Sequence, residues 1–358
     1  MFSLENICIE NSSKNSLIAR NIVSSANGRN ISYIDSSDDI LAQILKSDEP
    51  IRKSKGNLLV TENKGSFLKK CTGTMGMICC NYYFLNFATN CPLDCSYCIL
   101  QEYLANNPIL KIFSNTEVML KELDSIIEAT PDKFFRIGTG ELTDSLAFDN
   151  LTGFSKIIVP FFARMENAIL ELKTKTNQIK NLLNLEHRGK TVVAWSLNPQ
   201  RIIDSEEAYS ATLEERIDSA ACLGEKGYKI AFHFDPIILY EGWEKEYEEV
   251  VRRIFRNINP NSICWISLGC LRFSPKMKSI IKERFEKNML LSGEMVLCAD
   301  GKLRYFKPLR VDAFKKMVLC IRNNGNNIPI YLCMEGRDVW KKVFGTTPQM
   351  IRNLRNIF

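Results

Sequence analysis

Histidine is almost missing from this chain: His187 and His233 are the only two among 358 residues. A hydrolytic zinc site usually spends several imidazoles on its metal, so that class of enzyme is disfavoured. No uninterrupted apolar run approaches the roughly 18 residues that a membrane-spanning helix needs, so no membrane partner is expected. The opening stretch MFSLENICIENSSKNS lacks a basic segment followed by an apolar one, and a cytoplasmic location is expected on that ground. Low-complexity tracts and repeats at solenoid spacing are absent as well.

Cysteine, in contrast, is plentiful. Thirteen thiols in a reducing compartment stay reduced unless they bind metal, and an odd number argues against a full disulfide framework. The net charge of +6 permits contact with nucleic acid without demanding it.

The chain divides on pattern into an N-terminal α/β extension with a basic segment (1–80), a catalytic core (81–290) and a C-terminal region (291–358) ending in helices. Within the extension, ISYID and LLVTE read as strands and ILAQIL as a helix. In the core, short apolar runs alternate with helical ones, as in a parallel βα protein. Strands are expected at 82–88, 133–139, 168–174, 191–197, 228–234 and 262–268. Six such units make an incomplete barrel, so the fold class is α/β, a partial (β/α)6 TIM-type barrel. Helices are expected over NTEVMLKELDSIIEA and within SEEAYSATLEERIDSAACLGEKG. The latter starts at a capping box formed by Thr212 and Glu215 and stops at Gly224 or Gly227.

The chemistry is concentrated in NCPLDCSYCILQ, a loop directly after the first strand. Its three thiols, Cys91, Cys95 and Cys98, are spaced four and three apart. Three cysteines leave one iron of a 4Fe-4S cube without a protein ligand, whereas electron-transfer clusters use four. A structural zinc knuckle would want a fourth Cys or His close by. About forty residues further on, RIGTGELTDS follows the second strand; its glycines permit close backbone approach, and a carboxylate there can accept from an ammonium group. Later strand ends present Lys173 and Lys175, Ser196 and Asn198, and His233 and Asp235, where a barrel mouth would use them. Asn198 and Asp235 equally suit turns before Pro199 and Pro236, and His233 suits a structural role as well as a ligand's.

Cys-x-x-x-Cys-x-x-Cys with the aromatic Tyr97 before its last cysteine resembles the fingerprint of the radical S-adenosylmethionine superfamily. The resemblance implies that Cys91, Cys95 and Cys98 bind a 4Fe-4S cluster, that S-adenosylmethionine chelates the open iron, and that an external electron donor of flavodoxin or ferredoxin type reduces the cluster. It assigns the cofactor to Gly138, Thr139, Gly140 and Glu141, with Thr143, Lys175, Ser196, Asn198 and His233 as further contacts. The Thr143–Asp144 and Thr174–Lys175 pairs, Ser196 to Asn198, and the EGW segment after the fifth strand narrow the likeness, over about residues 80–310, to the spore photoproduct lyase family.

That family reverses a thymine dimer in DNA and enters the duplex with a β-hairpin. Here SGEMVLCADGKLRYFKP (hairpin about 293–308) alternates around Asp300-Gly301, which suits a type I' turn, or forms an ordinary edge ribbon. By the resemblance, Arg304 and Tyr305 contact the lesion. Two departures stand out. Gly140 and Glu141 occupy the segment where the family carries a hydrogen-donating cysteine, and Ile99 stands where it has a tyrosine. Cys270, Cys298 and Cys333 are the thiols nearest the expected barrel end or hairpin, and Glu335 follows a last apolar run. A second cluster built from Cys71, Cys79, Cys80 and the late cysteines has no compact ligand spacing. The alternatives are an enzyme of the same fold acting on a small molecule, nucleotide or peptide, or a non-catalytic iron-sulfur redox protein.

Overall fold

Three consecutive buried residues in a strand mean a sheet covered on both faces, and two N-terminal strands have that pattern: Ile7–Cys8–Ile9 and Leu58–Leu59–Val60. The computed structural model describes residues 4–348 other than Thr72, Met75, Cys79, Asn81 and Asn326. By internal contacts the chain forms two units. The first comprises the residues up to Lys70, Tyr83–Asp94 and Cys98–Thr191; the second comprises Cys71–Tyr82, Cys95–Tyr97 and everything from Val192 onward.

In the first unit a five-stranded sheet runs in the order Asn30–Ile34, Asn6–Glu10, Asn57–Thr61, Leu110–Phe113, Ala88–Thr89. Its first three pairings are parallel and the last antiparallel. The same unit holds β1 (Tyr83–Leu85), β2 (Phe135–Gly138) and β3 (Ala168–Thr174), paired in parallel, with Leu68–Lys70 antiparallel on the edge of β1. The second unit holds β4 (Thr191–Ser196), β5 (Lys229–Ile237), β6 (Ile263–Cys270) and β7 (Ile330–Leu332), also parallel. All six residues of β4 are buried, including the indole of Trp195.

All six expected core strands are present, and β7 forms in the late apolar run. The expected domain boundaries differ from the contact units for a physical reason. Ala88–Thr89 and Leu110–Phe113 complete the N-terminal sheet and so fall in the same contact unit as the extension. Residues 71–82 join the second unit because Met77 bridges Gly336 and the Ile78 N–H donates to the Glu335 carbonyl at 3.0 Å. Residues 349–358, expected to end in helix, lie outside the described ones.

The helices fall where periodicity puts them, at Thr116–Glu128 and Leu213–Glu225. The capping box is complete: Thr212 accepts from the Glu215 N–H, and the Glu215 carboxylate accepts from the Thr212 N–H at 2.8 Å. Of the two candidate glycines, Gly227 ends this helix, in a left-handed conformation at φ 84°, while Gly224 lies inside it. The hairpin joins Met295–Leu297 to Leu303–Tyr305, with Arg272–Phe273 as a third strand. Its turn is not type I'. Only Gly301 has positive φ, and the Gly301 N–H bonds the Cys298 carbonyl at 2.9 Å, the pattern of a type I turn closed by a left-handed residue.

Replacing Thr212 with Ala removes one half of the capping box, and a loss of about 1 kcal/mol is expected, read as a lowered midpoint in thermal unfolding.

Candidate active site

Asn90 opens the cysteine loop in the first unit. Its φ of 63° turns the chain sharply, and its side-chain amide donates to the Asn107 and Ile109 carbonyls at 3.0 and 2.8 Å, fixing where the loop begins. Cys91 and Cys98 line one narrow cleft with Ile51, Lys55, Leu93 and Leu104. Burial pushes the Cys91 thiol up to about 12, aided by the Asp144 charge and opposed by Lys55. Burial raises Cys98 as well, against the pull of Lys55 and Lys175. Both thiols are therefore neutral without metal.

Beside them lies the loop after β2. Asp144 is buried and organises it: one carboxylate oxygen accepts from the Leu146 and Ala147 N–H groups at 3.0 and 2.9 Å and from the Thr174 hydroxyl at 2.8 Å. The other accepts from the Lys175 N–H at 2.7 Å. Burial raises this carboxyl above its ordinary value, and these hydrogen bonds oppose the rise. Gly138 closes β2, and the Thr139 hydroxyl donates to Ser145 at 2.7 Å. At Gly140 a Cβ would meet the Lys173 Cβ at 2.8 Å, so only glycine fits without displacement. Thr143 is 5% exposed, and its hydroxyl has no hydrogen-bond partner among the described residues. Glu141 is exposed.

The second unit takes Cys95, Ser96 and Tyr97. Ser96 donates its N–H to the Glu206 carbonyl at 2.9 Å and its hydroxyl to the Glu206 carboxylate. The Tyr97 hydroxyl donates to Glu207, and burial together with that carboxylate holds the phenol well above its ordinary value. Glu207 also accepts from Asn198 Nδ2 at 2.8 Å and Arg216 Nη2 at 2.7 Å. Arg216 reaches on to the Ser196 carbonyl at 2.9 Å. Asn198 Oδ1 accepts from the Tyr247 hydroxyl at 2.7 Å. Both ends of the Asn198 amide are engaged within the second unit, the role in a turn that its sequence position also suited. Ser196 and His233 face each other in register across β4 and β5, and His233 Nδ1 is 2.8 Å from the Ser267 hydroxyl.

Arg304 and Tyr305 were expected to reach a lesion; the structure turns both inward. Arg304 is 1% exposed, bonds Asp300 at 2.6 Å and donates to the Met334 carbonyl at 3.1 Å. Tyr305 is 3% exposed, and its hydroxyl accepts from the Leu239 N–H at 3.1 Å. The cause is the turn: Asp300 pairs with the residue four later, drawing Arg304 under the hairpin, while Leu297 and Phe306 remain exposed. Glu335 is likewise spent, on Arg310 at 2.9 Å. Among the late thiols, Cys270 is buried, Cys298 sits in the hairpin turn, and the Cys333 sulfur accepts from Arg272 at 3.8 Å. Cys79 lies outside the described residues.

Sequence reasoning missed Lys55, Glu207, Arg216 and Tyr247. One signal was available. Arg216 stands at the start of a helix, where the dipole disfavours a cation, so its presence there implied a buried anion as partner.

The donor set suits an iron-sulfur cube. Its thiols are soft and shielded, with the Lys55 and Lys175 charges beside Cys98 to balance a negative cluster. Among the described residues no three His, Cys, Asp or Glu side chains gather around one point, as a single metal ion would require. The orphaned, buried Thr143 hydroxyl suits a polar ligand such as the amino-acid end of S-adenosylmethionine.

The profile of the spore photoproduct lyase family matches residues 72–297. The spore photoproduct lyase of Bacillus subtilis is 27% identical over 210 residues, 58% of this chain and 61% of that protein. That of Clostridium acetobutylicum is 30% identical over 171 residues, 48% of this chain and 51% of that one. The matched stretch is thus about three fifths or less of these relatives' lengths. A solved spore photoproduct lyase complexed with dinucleoside spore photoproduct superposes with a TM-score of 0.81 at 21% identity, covering 92% of this chain and 99% of that one. This likeness bears out the expected partial barrel. Among the described residues no helix is long and apolar enough to cross a membrane.

Two outcomes follow. In the metal-free protein, alkylation of Cys91 should stay slow at neutral pH and accelerate about tenfold per pH unit until the pH nears 12, because only the thiolate attacks; mass spectrometry of the modified peptide reads this. Glu207→Ala leaves Arg216 buried without its counter-charge and should cost about 3 to 5 kcal/mol in urea unfolding.

Proposed function

Because the chain belongs to the spore photoproduct lyase family, we propose that it is a radical S-adenosylmethionine enzyme acting on a lesion in DNA. The observation that carries this reading is that Cys91 and Cys98, both half-buried, line one cleft within the Cys-x-x-x-Cys-x-x-Cys loop. Cys91, Cys95 and Cys98 hold a 4Fe-4S cluster through their sulfurs, each losing its proton to do so. That group would supply one-electron reduction of S-adenosylmethionine, breaking its carbon–sulfur bond to give methionine and a 5'-deoxyadenosyl radical able to take hydrogen from the substrate.

The remaining roles belong to this chain. Gly140 lets the loop pack closely on Lys173, Thr143 offers the cofactor an otherwise unused hydroxyl, and Lys175 presents a cation to its carboxylate. Gly138 and Thr139 shape that loop, with Glu141 at its outer edge; within the second unit, Ser196 and His233 stand in register on neighbouring strands and are proposed as further cofactor contacts. Tyr97, held by Glu207, keeps the last cysteine in place. An external electron donor of flavodoxin or ferredoxin type supplies the electron. Contact with DNA falls to the exposed Leu297 and Phe306 on and beside the hairpin, in place of Arg304 and Tyr305.

One observation favours a second reading. Gly140 and Glu141 stand where the family's hydrogen-donating thiol is expected, and the two presumed lesion readers are buried. A related enzyme with a different substrate would show the same features.

Anaerobic reconstitution with iron and sulfide, followed by dithionite and S-adenosylmethionine, should yield 5'-deoxyadenosine by chromatography, and Cys95→Ala should abolish it. Added ultraviolet-irradiated DNA should be repaired, with binding that weakens as salt rises. Formation of 5'-deoxyadenosine without repair or salt-sensitive binding would select the second reading.

A further inference from the structure

Lys55 follows the short helix Pro50–Ser54, in a stretch that precedes the residues matching the family profile. Its side chain is only 16% exposed. An ammonium taken out of water needs replacement partners, and the cysteine loop supplies them. Lys55 Nζ donates to the Cys91 carbonyl at 2.6 Å and the Leu93 carbonyl at 2.8 Å, and stands 4.0 Å from the Asp94 carboxylate. Two carbonyls separated by Pro92 therefore converge on one cation. Residues 91–93 lie outside any strand, pairing beginning only at Asp94–Cys95, and Pro92 has no N–H to donate.

We propose that Lys55 is a positioning residue: it clamps the Cys91–Asp94 turn into its ligand-ready shape before iron arrives, and its charge then stands beside the cluster. The second half of the proposal rests on the reading of this loop as a cluster site; the first half does not. The charged groups facing Cys91 and Cys98 in this unit are Lys55, Asp94, Asp144 and Lys175. The Lys55 ammonium is hydrogen-bonded to the loop backbone at two carbonyls. Orientation of the ligands thereby passes to a residue of the N-terminal extension, outside the signature itself.

The test uses the metal-free, full-length chain with Lys55→Met and Lys55→Arg. Hydrogen-deuterium exchange is followed in peptides covering 91–98, with β5 as the internal reference. In Lys55→Met the loop should exchange about tenfold faster, matching the loss of one or two charge-assisted hydrogen bonds, with β5 unchanged. Lys55→Arg, which keeps the charge and the donors, should stay near wild type. After reconstitution the Lys55→Met cluster should have a more negative reduction potential, because a cation that favours the added electron is gone. Wild-type exchange in Lys55→Met overturns the clamp, and so does acceleration of β5 to the same degree in both variants. If the wild-type protein takes up no cluster, the functional reading falls while the exchange result still decides the clamp.

Discussion

A fully desolvated carboxylate, Glu207, organises the second unit. Neither it nor its counter-charge Arg216 has measurable side-chain exposure. Such a pair costs several kcal/mol per ion in lost hydration, and attraction offsets that only when the remaining lone pairs are also met. Here they are met by Tyr97 from the cysteine loop and Asn198 from the end of β4. Tyr247, from the helix Trp243–Asn257, locks Asn198 in turn and accepts from the Ile238 N–H just beyond β5 at 2.9 Å. One anion thus ties the loop, two strand ends and two helices into a single arrangement. Loss of any donor leaves a buried charge short of partners.

The first unit uses the same device with different groups. Asp144 gathers two backbone N–H groups of its own loop, the Thr174 hydroxyl and the Lys175 N–H, so the loop after β2 and the end of β3 move as one piece. The rigidity has a use. Thr143 is held with its hydroxyl buried and unspent, and an unmade hydrogen bond in a dry place is costly unless a ligand supplies the missing partner. Gly140 contributes to the same packing, since the space a Cβ would take belongs to Lys173.

The hairpin shows how a sound local reading can give the wrong surface. Alternation of apolar and polar residues correctly marked two strands and a turn at Asp300-Gly301. A type I' turn would have put positive φ at both central positions, but only Gly301 adopts it, and Asp300 instead turns its carboxylate to Arg304. With Glu335 and the Met334 carbonyl also beside Arg304, a residue that the resemblance assigns to lesion contact becomes part of the interior.

The sequence by itself determined the elements and the chemistry they carry. Six strands, the Thr212–Glu215 cap and the Cys91–Cys98 loop were legible because each depends on neighbours a few residues away: periodicity for burial, side-chain oxygen for a cap, thiol spacing for a cluster. The N-terminal strand Asn6–Glu10 was less legible, because three buried residues in a row look alike in a strand and a buried helix. Only the tertiary structure decided which groups meet across long stretches of chain. Lys55 reaches the Cys91 carbonyl from 36 residues away, and Tyr97 finds Glu207 from 110 residues away. No local pattern encodes such pairings. They follow from strand register and helix packing, which settle where a side chain points only after the whole chain has closed its core.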